Sequence, residues 1–70
     1  MNEPLTKSQQ NLRGTNIGDM SIEQLRDWID ACSKMENWVG GKKARRDWRL
    51  SREEASAELF RREERRHGGK

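Results

Sequence analysis

The sequence predicts an all-α fold: a two-helix hairpin, dimerising into a four-helix arrangement, behind a disordered N-terminal tail. Three observations predict it. Apolar residues recur at helical spacing in two stretches, and Gly40-Gly41 separates them. No stretch alternates apolar and polar residues over a strand length, so no sheet is expected. Of the 70 residues, 30% are hydrophobic and 39% charged. A chain this short buries a small share of its surface, so a monomer is expected to be marginal and self-association to supply the missing burial.

Residues 1–19 are expected to form a flexible polar tail. Pro4, the run from Thr6 to Asn11, and Gly14, Asn16 and Gly18 are polar or helix-breaking. Leu5, Leu12 and Ile17 are read as scattered. The hairpin domain is expected over residues 20–67, with 68–70 a flexible C-terminus.

The first helix is expected over 21–39. Ser21 and Gln24 have the spacing of a capping box, with Met20 and Leu25 at the staple positions. Glu23 places negative charge in the first turn, where the helix dipole favours it. Leu25, Trp28, Cys32, Met35 and Val39 follow at alternating spacings of three and four, and Ile22 and Ile29 widen the stripe. Glu36 interrupts it and is expected at the edge of a dimer seam, paired with a base of the second helix. Gly40-Gly41 is expected to stop the helix or bend the chain, since glycine supplies a left-handed cap at no steric cost.

The second helix has two possible starts. Ser51 and Glu54 form another candidate capping box. A continuous helix over about 42–66 is favoured, because Ala44, Trp48, Ser51, Ala55 and Leu59 then share one face. The expected core or dimer residues are Leu25, Trp28, Ile29, Cys32, Met35, Val39, Trp48, Leu59 and Phe60. The ten-residue spacing of Trp28, Trp38 and Trp48 does not return to one helix face and is read as coincidence.

Charge carries the functional reading. The formal net charge is +3, and it is uneven: residues 42–70 hold eleven bases against six acids. Lys42, Lys43, Arg45, Arg46, Arg49 and Arg52 crowd into eleven positions with one acid, Asp47. On a continuous helix most of these cations fall away from the apolar face, as a stripe of about 15 Å. Such a stripe suits phosphates along a groove, where neutralisation releases condensed counterions. The bland alternative is a solvated face with intrahelical ion pairs such as Arg49–Glu53 and Glu58–Arg62. The sequence KKARR also has the composition of a nuclear localisation signal.

Trp38 is a second candidate. It would lie nearly opposite the apolar stripe and could stack on a base or anchor a partner. The favoured reading has the helix ending early and Trp38 folding back over the hairpin.

The expected function is therefore binding of double-stranded nucleic acid, RNA or DNA, through phosphate contacts from the second helix. An accessory or regulatory role, of viral or mobile-element type, is inferred from size and charge alone. The alternative is a protein-interaction module, an adaptor or inhibitor, with a scaffold that binds itself as a third reading. Catalysis is not expected. His67 is the only histidine, Cys32 the only cysteine, and no phosphate loop or nucleophile motif is present. No cofactor or metal is expected. Cys32 is read as a small buried hydrophobe. With no long apolar run and no apolar leader, an intracellular location is expected, cytoplasmic, or nuclear in a eukaryotic host.

Overall fold

The computed structural model describes residues 3–68, with side chains through residue 65. The chain is all-α: α1 covers Lys7–Leu12, α2 Ile22–Trp38 and α3 Lys42–Gly68, with a 3-10 turn at Ile17–Asp19. Among the described residues there is no strand. The expected flexible C-terminus lies, beyond Gly68, outside the described residues.

The N-terminal segment departs from the expected tail. Thr6 caps α1: its hydroxyl accepts from the Gln9 amide at 3.2 Å, and the Gln9 side-chain oxygen accepts from the Thr6 amide at 3.0 Å. Leu5, Gln9 and Leu12 are all buried, and their spacing of four and three puts them on one side of the segment. Gln9 holds that side on α2. Its amide nitrogen is shared between the Asp27 carbonyl and the carboxylates of Asp27 and Asp30, at 2.9–3.2 Å. Its oxygen also accepts from Lys34 at 3.2 Å. Hydrogen bonds from Gln9 and then Lys34 hold the Asp30 carboxyl below its ordinary value.

In α2 the Ser21–Gln24 capping box is complete, with both reciprocal bonds present. Leu25, Trp28, Ala31, Cys32 and Met35 are buried. The helix ends differently from the expected left-handed cap. Val39 turns extended at φ −73°, ψ 149°, its amide bonds to the Met35 carbonyl, and no described glycine has positive φ. The β-branched Val39 favours that extended conformation.

The helix α3 runs unbroken from Lys42, with the Gly41 carbonyl accepting from the Arg45 amide at 3.0 Å. Ser51 therefore lies in mid-helix. At 27 residues, α3 is about 40 Å long and spans most of the 47 Å length of the molecule. Arg26 of α2 pairs with Glu63 of α3, and Glu36 with Arg49, so the two helices pack in opposite senses.

The core comprises Leu5, Leu12, Met20, Leu25, Trp28, Ala31, Cys32, Met35 and Ala55. Ile17, Ile29, Val39, Trp48 and Leu59 pack against it. Phe60 does not join it and is 62% exposed; one residue past Leu59, it is turned about 100° from the packed face. Trp28 and Trp48 meet with ring centroids 5.8 Å apart and planes tilted by 59°, a favoured aromatic geometry. The Arg13 guanidinium lies 5.7 Å from the centre of the Trp48 ring.

Arg62 occupies the centre of the inward face of α3. Its guanidinium donates to the carbonyls of Ile17, Gly18 and Met20, tying the 3-10 turn to the far end of α3. It also donates to Glu58 at 2.8 Å. Bonds from Arg62 and then Arg61 hold the Glu58 carboxyl below its ordinary value.

Candidate polyanion-binding surface

The six cations of the expected stripe lie within the first three turns of α3, but their surroundings differ. Lys42, Lys43 and Arg46 are exposed and make no ion pair among the described residues. The Nε of Arg45 donates to the Val39 carbonyl at 3.2 Å, bracing the interhelix link. Arg49 and Arg52 turn toward α2 and share Glu36, at 3.1 and 3.2 Å. The expectation that the cations point away from the apolar face thus fits Lys42, Lys43 and Arg46. It does not fit Arg52, which lies at the border of the packed face, where Glu36 draws it inward.

Glu36 pairs with bases of the second helix within the chain. Its Oε1 is buried and lies 3.2 Å from Arg52 Nη1, close enough for an ion pair but outside hydrogen-bond geometry. One carboxylate thus serves two guanidiniums, and Arg49 remains 52% exposed. With Asp47 exposed beside the cluster, cations still outnumber carboxylates there. The first turn of α3 contains no acid, although helix N-termini favour negative charge. The bases at that end reinforce the positive potential of the helix terminus.

Trp38 does not fold back over the helices. The helix α2 continues through it, and its side chain is 43% exposed, close in sequence to Lys42 and Lys43. Of the remaining core candidates, Leu25, Trp28, Cys32 and Met35 are buried, and Ile29, Val39, Trp48 and Leu59 are half-buried. Burial pushes the Cys32 thiol up to about 11 despite the nearby Arg52. Little thiolate therefore exists near neutral pH to act as a nucleophile.

Two open clefts flank α3. The larger, about 500 Å³, is lined by Thr15–Gly18 and Trp28 and, from α3, by Glu54, Glu58 and Arg61. Arg61 is itself paired with Glu58, which leaves no free cation there for a phosphate. The smaller, about 380 Å³, lies among Arg13, Trp28, Asp47, Trp48 and Ser51. Among the described residues no cluster of three or more His, Cys, Asp or Glu could hold a metal ion, and no helix is long and apolar enough to cross a membrane. In comparisons with protein families, curated proteins and solved structures, nothing matches the chain.

Sequence reasoning missed two residues that position this surface. Arg62 was read only as the intrahelical partner of Glu58, a pair that does form, although position 62 also shares the inward face of Ala44, Ser51 and Ala55. Gln9 stands three residues after Thr6, the same spacing that marked Ser21 and Gln24.

Proposed function

We propose that the chain binds double-stranded nucleic acid through its phosphates, using the first turns of α3. In this reading α2 and α3 form a helical hairpin that presents Lys42, Lys43 and Arg46 as a rigid cationic end, with Arg45 and Arg49 beside them. The observation that carries it is the exposure of Lys42, Lys43 and Arg46 without ion pairs among the described residues. Lysine and arginine there are adjacent to the positive terminus of a long helix, and phosphates are the common biological groups that match both. No set of amide side chains accompanies them to read base edges, so shape and charge would be recognised rather than sequence.

The test is fluorescence anisotropy with short RNA and DNA duplexes at low ionic strength. Lys42→Glu with Lys43→Glu is expected to abolish most binding while keeping helicity, since acids suit a first helical turn better than bases. Lys42→Arg with Lys43→Arg keeps the charge and is expected to keep binding. Equal binding by the glutamate pair would overturn the reading. A protein partner is the second reading, favoured by Leu50 and Phe60, which are 50% and 62% exposed.

A further inference from the structure

The side of α3 facing away from the core has a regular order of its own. Arg46, Leu50, Glu53, Ala57, Phe60 and Glu64 follow at spacings of four, three, four, three and four, and all six are exposed. On a helical wheel they fall within about 50° of the direction opposite Ala55 and Ala44. That is the spacing of a coiled-coil seam. The core faces of α2 and α3 are already buried against each other and the N-terminal segment, so this second seam has no partner within the chain.

At its ends and its large apolar positions the seam is complementary to itself when reversed, although Glu53 has only Ala57 as its counterpart. About position 55, Arg46 mirrors Glu64, Leu50 mirrors Phe60, and Glu53 mirrors Ala57. We propose that α3 pairs with the α3 of a second copy of this chain, antiparallel about a two-fold axis near Ala55. Leu50 of each copy then covers Phe60 of the other, and Arg46 meets the other's Glu64. An isologous interface makes each of these contacts twice. Of the flanking charges, Asp47 falls opposite the second copy's Arg61, which also pairs with Glu58 of its own chain, whereas Arg49 and Glu63 are engaged by Glu36 and Arg26 of α2 and add nothing to the register. Glu54 faces its own copy across the axis and opposes the pairing. Arg46 and Glu64 make no ion pair within their own chain among the described residues. The charge order selects the antiparallel sense, because a parallel pair in register would set Arg46 against Arg46 and Glu64 against Glu64.

Of the residues expected in the core or a dimer interface, Leu25, Trp28, Cys32 and Met35 are buried in the core of one chain, and Phe60 alone stands on the new seam.

Sedimentation equilibrium of the full chain at low ionic strength tests the proposal. The wild type is expected to dimerise reversibly, and Leu50→Ala with Phe60→Ala to be monomeric with unchanged helicity, since both side chains are exposed. Arg46→Glu and Glu64→Arg are each expected to weaken the dimer about tenfold, because two exposed ion pairs become two repulsive ones. Combining them is expected to restore it. A wild type that stays monomeric to millimolar concentration would overturn the proposal, as would charge variants that leave the dimer unchanged or a combination that fails to restore it. The first result would assign the seam to a different protein, and the other two to a different register.

Discussion

Arg62 and Glu58 show how a surface-looking charge run can contain a structural contact. The Arg62 guanidinium satisfies three backbone carbonyls of the turn that leads into α2 and binds Glu58 as well. Hydrogen bonds to a charged donor are among the stronger ones in proteins. The lowered Glu58 pKa gives this contact a pH signature. The folded state keeps Glu58 charged below its ordinary 4.5. Its contribution is complete above that value and is lost as the pH falls through the lower folded value. Thermal melts are therefore expected to fall more steeply between about pH 5 and pH 2 in the wild type than in Glu58→Gln. Identical falls in the two proteins would show that the Arg62–Glu58 contact adds nothing.

The helix α2 was legible in the sequence because it carries a periodic apolar stripe and the Ser21 box marks where it begins, whereas the apolar residues of α3 fall on both of its faces. The continuous α3 was legible because Ala44, Trp48, Ala55 and Leu59 share a face only if the helix is unbroken. The helix α1 was not legible, because its inward side is Leu5, Gln9 and Leu12, with a polar residue at the centre. Counting apolar residues passes over Gln9, whereas its hydrogen bonds to Asp27, Asp30 and Lys34 appear only when α2 is in place. The outward direction of the cations was legible only in part. Helical angle placed Arg52 at a border, and the pull of Glu36 from a different helix decided its side. Gly40 and Gly41 marked the break between the helices, but not by the left-handed turns that they suggest. Neither position has positive φ, and a Cβ at either meets nothing within 4 Å. Gly40→Ala with Gly41→Ala is therefore expected to hold or raise the melting temperature, with each change contributing about 0.4–1 kcal/mol through the unfolded state. A clear loss of stability would mean the link depends on glycine conformations.

At the scale of the whole molecule, the chain uses its apolar residues in one core shared by α1, the 3-10 turn, α2 and α3. That leaves α3 with two overlapping outward features, a cationic first end and a self-complementary seam, with Arg46 belonging to both. An antiparallel pair about Ala55 would put the two cationic ends about 33 Å apart along the dimer, at about 1.5 Å per residue. This is close to one turn of duplex DNA, about 34–36 Å, so both ends could meet one face of a duplex.

The most direct measurement is the affinity of the wild type for a short duplex across a range of salt concentrations. With about three to five phosphates neutralised by each cationic end, log affinity is expected to fall linearly with log salt at a slope of about −3 to −4.5 for one end, and about twice that where both ends of a dimer meet one duplex. A salt-independent affinity, or no binding at the lowest salt, would contradict a phosphate-binding role for the start of α3.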